Sequence, residues 1–133
     1  MIRAALGNHE NIFREFVRSW IRLLSIGKLE EAIKQIDAPN SYGVEWSVKS
    51  IQKVLEDYVG EGIDFSITDP NEMEGDGRPN LFMFNGLQGF AFDLNLPING
   101  EWSDLTVQFE FIKKGKGYYS VILNDIHVLK KRL

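Results

Sequence analysis

Apolar residues recur at the helical repeat along the first 60 positions and at the strand repeat thereafter, and the change happens once, near Gly60. A single switch predicts one domain spanning residues 1–133, α+β in class, with helices first and strands after. Asn8 is placed to cap a first helix whose apolar arc is Ile12, Phe13, Phe16, Val17, Trp20, Ile21, Leu23 and Leu24, with Gly27 to end it. A shorter helix from Lys28 to about Ile36 turns Leu29, Ala32, Ile33 and Ile36 inward and stops before Pro39. The third begins near Ser47, keeps helical spacing through Val48, Ile51, Val54, Leu55 and Tyr58, and breaks at Gly60.

In the second half the turns set the registers. Asn99-Gly100 tolerates positive φ at both positions and predicts a tight hairpin with Ile98 facing Glu101. Phe90 then pairs with Phe109, Phe92 with Val107 and Leu94 with Leu105, while Asp93 beside Thr106 and Asn95 beside Asp104 take the other face. For the turn in Lys113-Lys114-Gly115-Lys116-Gly117, a three-residue loop sets Phe111 against Tyr119, Phe109 against Val121 and Val107 against Leu123. A two-residue loop would bring Asn124 and Ser120 to the apolar side, so the longer loop is preferred. Asn85-Gly86 offers a further hairpin from Leu81 to Phe84 into the strand entering at Leu87, with Phe82 and Phe84 competing against Leu81 and Met83 for the inner side. Counting on from Leu123 at spacing two places Asp125 and His127 on the apolar face as a polar pair, and turns Asp93 and Glu110 outward.

Charge adds two local features. Arg14, Arg18 and Arg22 stack along one stripe of the first helix, which reads as a solvated edge partly neutralised by Glu10 and Glu15, or as a contact for an anion or partner. Between Glu61 and Asp76 the chain carries six carboxylates and no base, after an expected first strand at about Ile63 to Thr68. Counted from Asp69 as a calcium loop, the sixth position is Glu74 where glycine is needed and the twelfth is Asn80 where a bidentate Glu is needed, so calcium is rejected in favour of a mobile acidic loop.

Composition mostly excludes. The 133 residues, 44% of them hydrophobic, suffice for a core without a covalent staple, and the lack of cysteine removes disulfides and thiolate metal sites. A net charge of −4 argues against general nucleic-acid affinity. The start lacks the apolar stretch of a signal peptide and no later run reaches a membrane span, which predicts a soluble cytoplasmic protein with no membrane partner.

Three helices followed by a curved antiparallel meander of four to five strands, closing on Asp125-Ile126-His127-Val128, resemble the nuclear transport factor 2-like (cystatin-like α+β) superfamily from about Asn8 to Leu129. The pair of motifs Trp102-Ser103-Asp104-Leu105-Thr106 and Asp125-Ile126-His127-Val128-Leu129 also resembles a group of short uncharacterised bacterial proteins. The resemblance implies helices closing over a concave sheet around a conical pocket, used by isomerases, dehydratases and epoxide hydrolases and by non-enzymatic binders. Neither the Asp/Tyr arrangement of the steroid isomerases nor the Asp/Arg/Asp arrangement of the epoxide hydrolases is matched here.

The chemistry therefore rests on few residues. Asp125 and His127 would serve an enzyme as an acid/base pair, or else sit at the strand end with His127 bonded to backbone or Ser103 and Asp125 accepting from a nearby turn. His9, the other histidine, is expected in the solvated first turn of a helix, so no metal site and no cofactor are expected. Trp46, with Tyr42 nearby, is placed to cover the mouth of the cone, and Trp102 lies beside a hairpin turn opposite Pro97; either could touch a ligand or simply pack locally. Two function classes follow. The favoured one is a non-catalytic binding protein that takes a protein partner or small ligand at the cone mouth or outer sheet face, as toxin-neutralising immunity proteins of such folds do, or that forms a homodimer through the sheet. The alternative is a small-molecule enzyme acting through Asp125 and His127 in the cone.

Overall fold

The helical half forms where its caps and apolar spacing place it. In the computed structural model, which describes residues 1–5, 7–84 and 88–128, α1 (His9–Ser25) buries Phe13, Val17, Trp20, Ile21 and Leu24. Asn8 occupies its N-cap position without a side-chain cap bond, and Gly27, at φ 76°, turns the chain out of the helix. The short α2 (Leu29–Lys34) is tied to α1 by Trp20, whose Nε1 donates to the Ala32 carbonyl at 2.9 Å. In α3 (Val48–Val59) Ser47 and Ser50 cap reciprocally: Ser50 N donates to Ser47 Oγ at 3.1 Å and Ser47 N to Ser50 Oγ at 2.8 Å.

The strand half is one antiparallel sheet of five strands, so the α+β class with helices on a curved sheet holds. Its strands are β1 (Ile2–Arg3), β2 (Asn80–Met83), β3 (Gly89–Ile98), β4 (Glu101–Gly115) and β5 (Tyr118–Val128), in the spatial order β1-β5-β4-β3-β2. The two-residue β1 has no counterpart in the sequence pattern. Conversely, the strand expected at Ile63 to Thr68 is reduced to a single bridge from Ile67 to Ile98. In β2, Leu81 and Met83 pair with Phe92 and Phe90 and take the inner side, with Phe82 on the other, and both Phe82 and Met83 stay exposed; the Asn85-Gly86 turn lies outside the described residues.

Registers near the hairpin tip follow expectation and then depart from it. Ile98 faces Glu101 and Pro97 faces Trp102, but Ser103, Asp104 and Leu105 then stand opposite Leu96 alone. The two extra residues move all later pairs by two, so Phe90 meets Phe111, Phe92 meets Phe109 and Leu94 meets Val107. Because two is the strand period, every side chain keeps its expected face. The β4–β5 pairing is likewise moved by two, with Phe111 opposite Val121 and Phe109 opposite Leu123.

A second irregularity changes faces. Phe109 pairs with Leu123 while Gln108 pairs with Asp125, leaving Asn124 as one extra residue in β5. A one-residue bulge inverts the alternation, and Ile126, 3% exposed, replaces Asp125 on the core side. Asp125 and His127 therefore lie on the outer face, contrary to the sequence expectation. The bulge is held from outside the sheet: Asn40 Nδ2 donates to the Asn124 carbonyl at 2.9 Å and Trp46 Nε1 to the Leu123 carbonyl at 2.8 Å. Asp37 adds two bonds to Val121, so residues 37–46 cover an edge that would otherwise expose unpaired groups.

The arginine stripe divides between the two readings. Arg14 pairs with Glu10 at 2.7 Å, whereas Arg18 donates to the Pro70 carbonyl at 2.9 Å and Arg22 meets Asp69 at 3.3 Å. The start of the acidic segment is thus docked on α1 rather than free, with Asp69 capping a 3-10 turn at Pro70–Glu72. Among the described residues no helix is long and apolar enough to cross a membrane.

Candidate functional site

Helices and sheet meet over the aromatic rows of the inner face, and along most of that contact nothing is left open. Phe13 stacks on Phe111 with ring centres 4.1 Å apart, and Trp20 meets Phe109 edge-on at 5.1 Å. Phe92, Leu94, Leu96, Val107 and Phe109 are all fully buried. The expected cone is filled here by side chains.

The inner face, however, runs past the start of α1. Beyond the Phe90–Phe111–Val121 row comes Lys113 paired with Tyr119, and no helical residue precedes His9 to cover that row. The result is a half-open cavity of about 510 Å3, walled by Phe90, Met83 and Tyr119, closed on one side by Ala4 and Ala5, and rimmed by Lys113 and Lys116. Its size falls in the range that holds small organic ligands. His9 forms its inner end, 4.7 Å from the Phe90 ring centre and 5.9 Å from that of Phe13. His9 Nε2 and Tyr119 Oη share a hydrogen bond of 3.1 Å, in which the imidazole tautomer decides which group donates. His9 is thus a half-buried packing residue and not a solvated one, a correction to the sequence reading. The signal for it was the spacing-two run Phe109, Phe111, Lys113, which continues the inner face past the predicted helix start.

The walls of this cavity are mainly apolar, with the His9–Tyr119 pair at the inner end and the cations at the rim, and none of the residues lining it is a carboxylate. Among the described residues no group of three or more potential ligating side chains is arranged to take a metal ion.

The residues singled out from the sequence lie elsewhere. Trp46 is half-buried at a hollow of about 200 Å3 near Ile33 and Pro39, and its indole N–H is spent on β5; Tyr42 is 86% exposed. Trp102 lies over Gly77, where a Cβ would run into its ring, and donates from Nε1 to the Glu74 carbonyl at 2.7 Å. A depression of about 390 Å3 beside it is bounded by Arg78, Asn95 and Asp104. There Tyr58 donates to Asp104, and that bond, with burial second, holds the Tyr58 phenol above its ordinary pKa. Ser103, one expected partner of His127, instead donates to the Leu96 carbonyl at 2.7 Å.

Asp125 and His127 meet each other on the outer face, with Asp125 Oδ2 2.8 Å from His127 Nδ1. Asp125 Oδ1 also accepts from the Ile126 N–H at 2.8 Å. Register sets Asp93, Gln108 and Asp125 in one row across three strands and Asn95, Thr106 and His127 in the next. This polar grid gathers Asp125 and His127 with Asp93, away from the cone. Burial raises the Asp93 carboxyl above its ordinary pKa, against a Gln108 hydrogen bond and the charge of His127, and burial also raises Glu110.

A family model described as a domain of unknown function (DUF7668) matches residues 23–129. No curated protein and no solved structure matches the chain.

Proposed function

Because the chain belongs to the DUF7668 family, whose description assigns no activity, its function is read from its own geometry, and we propose that it is a non-catalytic binding protein that holds a small ligand in the cavity at the start of α1. One observation carries this reading: the aromatic inner face, sealed by helices over most of its length, is only partly covered along one row at the start of α1 and opens there into about 510 Å3. Helices closing over a curled sheet also support a place in the NTF2-like superfamily, with the ligand space confined to this end of the cone. The enzymatic alternative loses support, since Asp125 and His127 are separated from the cavity by the sheet itself.

A second reading is favoured by the outer grid. Asp93 and Thr106 in that grid are buried, while Asn95, Gln108, Asp125 and His127 stay partly exposed, and these four suit a hydrated contact with a protein partner or a second copy of the chain. Nuclear magnetic resonance shift mapping with a set of small organic fragments separates the two. Shifts concentrated at His9, Phe90, Lys113 and Tyr119 are expected; shifts absent there would contradict the cavity reading. For the second reading, sedimentation that finds only monomer, together with unchanged outer-face shifts in lysate, would count against it.

A further inference from the structure

We propose that the ligand is an amphipathic anion, its acid group held by Lys113 and Lys116 at the rim and its apolar body on Phe90, Tyr119 and Met83; this rests on the reading of the cavity as a ligand site. Three observations converge on that chemistry. Lys113 occupies the inner-face position that continues Phe109 and Phe111 at spacing two, so an ammonium stands where the strip would otherwise present another apolar group. Lys116 reaches the same rim from the β4–β5 turn. Neither lysine has a carboxylate within ion-pair distance among the described residues, and none of the seven other residues lining the cavity carries a carboxylate side chain. Two cations without an acid partner, in a chain of net charge −4, make a local positive field against the average.

The apolar part is equally specific. Met83 is 58% exposed and Phe90 only half-buried, so both retain surface that a hydrocarbon or aromatic body would remove from water. An inorganic anion would leave that surface wet, and a neutral apolar molecule would leave the ammonium groups unused. His9 and Tyr119 already satisfy one another at the inner end, so that end asks for no charged group.

The test is calorimetric titration of the whole protein with dodecanoate, dodecan-1-ol, dodecyltrimethylammonium and inorganic phosphate, each below any micelle concentration. Dodecanoate is expected to bind at least tenfold more tightly than the alcohol, with the ammonium compound weakest and phosphate giving no saturable heat. Lys113→Ala and Lys116→Ala should each weaken dodecanoate about tenfold. Lys114→Ala, on the same strand but off the cavity, should not. Phe90→Ala should weaken alcohol and carboxylate alike. Equal affinity for alcohol and carboxylate, or indifference to both lysine variants, would overturn the anion while leaving the cavity reading in place. Silence toward all three amphiphiles would overturn both. Binding to anionic phospholipid vesicles with no binding of monomeric dodecanoate would also overturn the proposal, because the lysines would then be a membrane-facing patch.

Discussion

The two ends of the inner sheet face are built from the same strands with the same alternation, yet one is core and the other is cavity. At the first, Phe109 and Phe111 are covered by Trp20, Phe16 and Phe13. At the second, the His9 ring and the near side of Phe13 are the last helical cover over Phe90 and Tyr119, because α1 begins there, and Phe90 stays half-buried while Tyr119 is buried. The strand pattern gives both ends an apolar side; the first residue of a helix decides which end is sealed. Burial is a property of the pair of elements, and a strand read alone cannot reveal it.

The largest expected difference lies in truncation. Phe109→Ala, at a fully buried position, should cost about 3–5 kcal/mol in urea denaturation, whereas Phe90→Ala should cost about 1 kcal/mol because water already reaches that ring. Equal losses would break the comparison, since they would mean that the open end is packed like the closed one.

A smaller effect tests the outer face. Burial holds the Asp93 carboxyl above its unfolded value, so the folded state binds the proton more tightly than the unfolded chain does. That contribution favours folding below the unfolded carboxylate pKa and is lost as pH rises through the higher folded value. Asp93→Asn removes the charged form, so its melting temperature relative to wild type should rise between pH 4 and pH 7. A difference that does not change with pH would contradict the burial. Smallest of all, His127→Ala should cost less than about 1 kcal/mol, as the Asp125 contact is half-exposed, and should leave amphiphile binding at the cavity unchanged. Loss of binding in that variant would tie the outer grid to the cavity.

How far the sequence reaches can be judged from the same elements. The helices were legible because their apolar arcs are long and their ends carry local chemistry, the Ser47 cap and the Gly27 and Gly60 stops. The hairpin at Asn99-Gly100 was legible for the same reason: its backbone requirement is written in two adjacent residues. The bulges were not, because they are enforced at a distance. The bulge is held by Asn40 on the Asn124 carbonyl and Trp46 on the Leu123 carbonyl, more than 75 residues earlier in the chain, and no glycine marks the spot. A trace did exist: the apolar parity changes from Val121 and Leu123 to Ile126 and Val128. Strict alternation carried through that change puts Asp125 and His127 on the core side, whereas the bulge turns them outward. The site favoured by the geometry turned on His9, whose neighbours Phe90 and Tyr119 are 81 and 110 positions away.

The most direct measurement is a side-by-side titration of wild type and Ala5→Trp with the dodecyl amphiphiles. Ala5 is exposed and lines the cavity, so an indole there fills the space without entering the core. The expected result is saturable binding to wild type that disappears in Ala5→Trp, with the urea midpoints of the two proteins equal. Binding that survives in Ala5→Trp, or that is absent from wild type, would contradict a ligand site at the open end of the cone.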